Sequence, residues 1–116
     1  APRGLHLAVE SGPAWAGYFG LQLSVGGRVP AGATGWMALV ERLPAGGEGS
    51  AVARELVRAV AGPLPLDAVR VGRPLQHLAA LRWPETAQVS RLVARGWLES
   101  ADGHMLAVVS EHCALP

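Results

Sequence analysis

Lysine is absent from this chain, and cysteine occurs once, at Cys113. A single cysteine excludes an internal disulfide and is compatible with a reducing compartment. The apolar runs are far shorter than the roughly 20 residues that a membrane-spanning helix requires. The first residues also do not follow the basic-then-apolar pattern of a secretory signal. We therefore expect a cytoplasmic protein with no membrane partner.

Neither sign of charge is in large excess, since ten basic and nine acidic residues leave a formal net charge of +1. Such a balance marks no strong electrostatic attraction to nucleic acid or to a membrane surface. All ten basic residues are arginine. This bias has two explanations: the coding bias of a GC-rich genome, or a use of guanidinium groups for bidentate contacts to phosphate.

The chain has 116 residues, of which 50% are hydrophobic. This length and composition predict one domain, spanning residues 1–116, with enough apolar material for a single core. The sequence contains no phosphate-binding loop, dinucleotide fingerprint or recognisable metal-ligand spacing. Any chemistry must therefore come from residues that the fold brings together.

The best-marked element is a predicted helix over residues 49–62. Ser50 is a favourable N-cap, because its hydroxyl can accept a hydrogen bond from a free backbone N–H of the first turn. Gly62 followed by Pro63 predicts the end of the helix. One apolar face at helical spacing completes the pattern. Its members are Val52, Ala53, Leu56, Val57 and Val60.

Short β-like runs surround this helix. Three of them, joined by glycine-containing turns, precede it and predict an antiparallel meander. A strand after the helix would complete a crossover and lie parallel to one meander strand. The predicted strands are 5–10, 18–25, 35–43, 66–71 and 105–110, and the further predicted helices are 74–81 and 84–95. The order β-β-β-α-β-α-α-β predicts an α/β protein with a five-stranded mixed sheet and helices packed on it.

This order resembles the ribonuclease H-like superfamily, of the ribonuclease HI type, and four segments strengthen the resemblance. They are VESGPAWAGYFGLQLSVGG, GEGSAVARELVRAVAGPL, VRVGRPLQHLAAL and MLAVVSEHCALP. They are similar to the family's first hairpin, its glutamate-bearing helix, its fourth strand and its fifth strand. The resemblance implies a hydrolase in which carboxylates hold two Mg²⁺ ions for cleavage of an RNA/DNA hybrid.

By position, the resemblance implies that Glu10 and Glu55 are the metal ligands and that His112 assists product release. The third carboxylate of the family would fall at 72–74, which is Gly-Arg-Pro here, and the terminal helix that carries the fourth does not follow. Arg73 would oppose a cation by Coulomb repulsion. The prediction is thus a residual magnesium-dependent nuclease or a catalytically inactive relative linked to nucleic acid.

Each of these residues also has a structural explanation. Glu10 can cap a hairpin turn. Glu55 lies three residues before Arg58, the spacing of an ion pair on a solvated helix. His112 can be an exposed loop residue.

Two other classes of protein remain open. VSRLVARGWLESADGHMLAVV resembles a winged-helix DNA-binding module, with a recognition helix, a strand, an Asp102-Gly103 wing turn and a second strand. The segment 35–43 discriminates between the two folds, because the ribonuclease H fold pairs it within a central sheet. Alternatively, a mean hydropathy of +0.25 suits a non-catalytic interaction domain that forms a homodimer.

Overall fold

The computed structural model describes residues 4–46, 52–83 and 89–111. These residues form seven β-strands and one 3-10 turn at Val89–Arg91, and they include no α-helix. The strands are β1 (Leu5–Trp15), β2 (Tyr18–Gly27), β3 (Thr34–Leu43), β4 (Arg54–Pro65), β5 (Leu75–Arg82), β6 (Leu92–Glu99) and β7 (Met105–Ser110).

The strands form two antiparallel sheets that pack face to face as a β-sandwich. One sheet has the order β1-β2-β5 and the other has the order β4-β3-β6-β7. Between the sheets, β1 lies against β6 and β7, whereas β5 lies against β4. Strands β1 and β4 therefore lie at opposite sides of the molecule.

The core lies between the sheets and consists of alternate residues of the central strands. Along β2 and β6, every second side chain is buried. Full burial of one such aliphatic side chain stabilises the fold by about 1.5–3 kcal/mol. The largest fully buried apolar side chains are Leu21, Leu23, Val25, Met37, Leu39 and Leu98.

The predicted α/β fold of the ribonuclease H type is wrong. The predicted strands 5–10, 18–25, 35–43 and 105–110 are strands, and β1 does pair with β2 as an antiparallel hairpin. However, β3 does not extend this hairpin into a meander, because it pairs with β4 and β6 in the other sheet. All the recorded strand pairs are antiparallel, so the expected parallel crossover does not occur among the described residues.

The predicted helix over 49–62 is also wrong, although residues 49–51 lie outside the described part. Its remainder is mostly β4, the edge strand of the four-stranded sheet. A β-bulge explains the error: Val40 pairs with Val57, and Leu39 pairs with Ala59, so Arg58 is an extra residue. The bulge shifts the alternation by one position, and the apolar spacing then imitates a helical period.

Gly62 and Pro63 have roles other than ending a helix. A Cβ atom at Gly62 would lie 2.6 Å from Cε3 of Trp36, so glycine here leaves room for the indole ring. Pro63 lies in an edge strand, where a missing N–H donor is tolerated.

The other two predicted helices are also not α-helices in their described parts. The range 74–81 falls almost entirely on β5, and 84–95 contains the 3-10 turn and the start of β6, with 84–88 outside the described residues. The predicted strand 66–71 is instead a turn segment, from which Leu66 and Val69 are buried in the core. Both faces of β5 carry leucine or alanine, so the strand shows no polar alternation that could identify it.

The winged-helix alternative is wrong in two places. Its expected recognition helix is a 3-10 turn followed by β6 in the described residues, and the segment 35–43 is paired within a sheet. Strand β3, which contains the whole range 35–43, is hydrogen-bonded on both sides within a sheet. The expected hairpin does exist, since β6 and β7 pair around a turn in which Gly103 has a φ of 87°. In that turn the Ser100 hydroxyl, and then His104, lower the pKa of Asp102 by hydrogen bonding to its carboxylate.

A substitution at Gly96 tests how the two sheets pack, because Gly96 lies on the inner face of β6. A Cβ atom added there would lie 2.7 Å from Cδ1 of Leu23 and 3.5 Å from Cβ of Val9. We expect Gly96→Ala to lower the free energy of unfolding by about 1–3 kcal/mol through overpacking. In Gly20→Ala, the matched control, the added Cβ meets no atom within 4 Å. The control should be neutral or stabilising in urea denaturation, and equal losses in both variants would contradict the packing.

Candidate interaction surface

The structure separates the two carboxylates that were predicted to bind metal. Glu10 is exposed on β1, opposite Gln22 of β2, on the outer side of the three-stranded sheet. Glu55 lies on β4, at the opposite side of the sandwich. His112 lies outside the described residues. The structure therefore does not bring Glu10 and Glu55 together.

Glu55 pairs with other arginines than Arg58, the partner expected from its spacing on a helix. Its Oε2 atom lies 2.5 Å from Nη2 of Arg95 and 3.6 Å from Nε of Arg42. Within the described part of the chain, no group of three or more His, Cys, Asp or Glu residues could hold a metal ion. Magnesium binding stays an untested prediction.

The outer faces of the two sheets differ strongly in polarity. The outer face of the three-stranded sheet is largely polar, with His6, Glu10, Gln22, Ser24 and Gln76 on it. The outer face of the four-stranded sheet is largely apolar, and we call its apolar part the valine–tryptophan face. Its members are Trp36, Ala38, Val40, Val57, Val60, Trp97 and Val108. This contrast makes the valine–tryptophan face the candidate functional site.

Two tryptophans form the centre of this face. Trp36 of β3 and Trp97 of β6 are direct cross-strand partners. Their rings are stacked, with centroids 6.1 Å apart and an angle of 6° between planes. The indole Nε1 of Trp97 donates a hydrogen bond to Oε1 of Glu99 at 3.1 Å. The indole Nε1 of Trp36 is buried and has no hydrogen-bond partner among the described residues.

Exposed valines flank the stacked rings on the two edge strands. Val57 and Val60 of β4 are 62% and 47% exposed, and Val108 of β7 is 62% exposed. Beneath them, Ala38 and Val40 of β3 are almost completely buried although they point away from the core. Contiguous apolar surface of this kind marks interaction sites on soluble proteins, because its exposure to water is unfavourable.

Charged side chains lie at both ends of the face. At one end, Glu55 bridges Arg42 and Arg95, and Arg95 also donates a hydrogen bond to the Ser110 hydroxyl. At the other end lies Glu99, on the last residue of β6. One end therefore carries excess positive charge, and the other carries negative charge.

A second polar feature lies inside the molecule. Glu41 is only 2% exposed, and its Oε1 atom lies 2.8 Å from Nε and 2.7 Å from Nη2 of Arg58. The bulge in β4 positions Arg58 for this contact. A carboxylate buried in this way is retained only when it is paired, because its desolvation costs several kcal/mol.

Two of these features have a trace in the sequence that the predictions above did not use. Glu41 interrupts the apolar run MALVERL, which is unusual for a buried strand. LVARGWLE alternates with a period of two and places Arg95 and Trp97 on one face. The pairing of Trp36 with Trp97 has no local trace, because it depends on which strands are neighbours.

No protein-family model, curated protein or solved structure matches the chain. The described residues include no helix that is long and apolar enough to cross a membrane. The function must therefore be inferred from the surface itself.

The two indole N–H groups allow a matched test. Trp36→Phe and Trp97→Phe remove the same atoms, but only Trp97 loses a hydrogen bond to Glu99. We expect Trp97→Phe to cost about 1 kcal/mol more in the free energy of unfolding, the usual net value of a hydrogen bond. Urea denaturation of both variants measures the difference. A larger loss for Trp36→Phe would contradict the assigned partners.

The buried pair predicts a large effect at Glu41. Glu41→Ala should lower the free energy of unfolding by about 3–5 kcal/mol, because Arg58 keeps its charge in a poorly solvated position. Glu10→Ala, which removes an exposed carboxylate, should stay within about 0.5 kcal/mol of the wild type. The double variant Glu41→Leu/Arg58→Leu should recover much of the loss. Similar stabilities for Glu41→Ala and Glu10→Ala would show that the pair is not buried.

Proposed function

We propose that this chain is a non-catalytic β-sandwich interaction domain that associates with a second copy through the valine–tryptophan face. The observation that carries the proposal is the exposed apolar surface formed by Val57, Val60 and Val108 around the stacked tryptophans. The outer face of the other sheet is a poor alternative, since its strands present mostly polar side chains to water.

The shape of the site favours docking of a flat surface over binding of a flat ring. The indoles of Trp36 and Trp97 are nearly parallel with centroids 6.1 Å apart. The space between them is too narrow for a third ring, which would need contact distances of about 3.5–4.0 Å on both sides. A second sheet can pack on such a surface about 10 Å away, as the sheets of a sandwich do.

The charges support a second copy as the occupant. A two-fold axis that runs across the strands would place the Glu99 end of one copy over the end of the other copy that carries Arg42 and Arg95. Opposite charges then meet twice, as required in an isologous interface. Aromatic side chains at the centre with charged groups at the rim are typical of such interfaces.

The nuclease hypothesis loses its structural basis, because the predicted fold is wrong and Glu10 and Glu55 lie on opposite sides of the molecule. Binding of an RNA/DNA hybrid stays a prediction without a test, and so does the cytoplasmic location inferred from Cys113.

Association can be tested by changing the apolar residues on the two edge strands. We expect the wild type to sediment with a mass approaching twice 12.0 kDa as its concentration rises from micromolar to millimolar. The double variant Val57→Asp/Val108→Asp should raise the dissociation constant by about tenfold or more, since each tenfold corresponds to about 1.4 kcal/mol. It introduces charges into a surface that must be desolvated on binding.

Leu78→Asp is the matched control, because Leu78 is 72% exposed on the outer face of β5 in the other sheet. It should associate like the wild type. A monomeric wild type across this concentration range would overturn the proposal, and so would an equal loss of association in the control. Circular dichroism and urea denaturation verify that each variant is folded.

A further inference from the structure

An open groove of about 560 Å³ lies at the arginine-rich end of the four-stranded sheet. Among the described residues, strands β3 and β4 supply most of its lining, and Arg91 of the 3-10 turn adds to it. Its size is within the range of about 300–1,000 Å³ that is typical of small-molecule sites. The lining residues are Arg42, Leu43, Pro44, Ala53, Arg54, Glu55 and Arg91.

The lining concentrates positive charge. Among the described residues, three arginines and one glutamate line the groove, whereas the whole chain has a formal net charge of only +1. The Arg42 side chain is 52% exposed, and Arg54 and Arg91 are half-buried. Half-buried guanidinium groups interact more strongly with an anion than fully solvated groups do, because the local dielectric is lower.

We propose that this groove is a binding site for a small phosphate-bearing ligand. Arg42 and Arg91 approach it from two different segments of the chain, so a bound group can receive hydrogen bonds from more than one direction, and Arg54 lies beside them. Each guanidinium offers a planar set of N–H donors that matches the oxygens of a phosphate group.

Phosphate fits this lining better than carboxylate does. A carboxylate has one negative charge and two oxygens, and a single arginine can saturate both. A phosphate group carries nearly two charges at neutral pH and presents three terminal oxygens. It therefore uses the donors of more than one arginine and suits the arginines among the described lining residues.

The carboxylate of Glu55 should weaken phosphate binding in this groove. Its carboxylate lines the groove and already pairs with Arg95 and Arg42. It therefore repels an incoming anion and competes for the Arg42 guanidinium. Removal of its charge should strengthen phosphate binding, the opposite of the effect expected if Glu55 held a metal ion.

The test is a titration of the full chain with pyrophosphate at constant ionic strength, followed by calorimetry and by the arginine Nε–Hε signals in NMR spectra. We expect saturable binding with one site per chain. Arg91→Gln should weaken binding by about tenfold or more, while Glu55→Gln should strengthen it several-fold. Arg82→Gln, which changes an exposed arginine on β5, is the matched control and should bind like the wild type.

Binding that does not saturate at millimolar pyrophosphate would overturn the proposal. Equal weakening by Arg91→Gln and Arg82→Gln would also overturn it, because that result indicates unspecific attraction to the whole surface. Acetate at the same concentration should compete poorly, and equal competition would contradict the preference for phosphate. Arg42 belongs both to this groove and to the charged end of the proposed interface. However, Arg91→Gln changes only the groove and Val57→Asp/Val108→Asp changes only the apolar face, so either proposal can fail while the other succeeds.

Discussion

Strand β3 is hydrogen-bonded on both sides, to β4 and to β6, and most features of the molecule depend on these two pairings. Its inward side chains Met37 and Leu39 fill the centre of the core. The pairing with β6 places Trp36 opposite Trp97, and the pairing with β4 adds the exposed valines beside them. The bulge in the β4 pairing brings Arg58 to the buried carboxylate of Glu41. One central strand thus builds the core, the apolar face and the internal ion pair.

The four-stranded sheet has little exposure on either face of its central strand. Both faces of β3 are buried or nearly so, because flanking side chains on the outer face cover Ala38 and Val40. Such a sheet resembles one half of a larger packed structure, and a partner surface would complete it. Arg42 and Arg95 lie at one end of this face, and Arg42 also lines the groove beside it.

Strand positions could be predicted from the sequence wherever one face is polar or a glycine turn limits the run, as at β2, β3 and β7. Prediction failed at β4 and β5, where apolar residues occur on both faces and period-two alternation disappears. It also failed at β6, whose first residues fall in the predicted helix 84–95 although LVARGWLE alternates with a period of two. In β4 the bulge at Arg58 adds a further shift, so the spacing of Leu56, Val57 and Val60 matches a helix equally well. The candidate site could not be predicted, because Trp36 and Trp97 meet only through long-range strand pairing, which local patterns do not encode.

The most direct test of this account is NMR spectroscopy of residues 54–65, since the sheet and the apolar face both require this segment to be a strand. We expect Cα and Cβ chemical shifts typical of a strand, with cross-strand nuclear Overhauser effects from Ala59 to Leu39 and from Val60 to Ala38. Helical chemical shifts, with strong sequential amide–amide contacts through Val57 and Val60, would contradict the sandwich and remove the basis for the valine–tryptophan face.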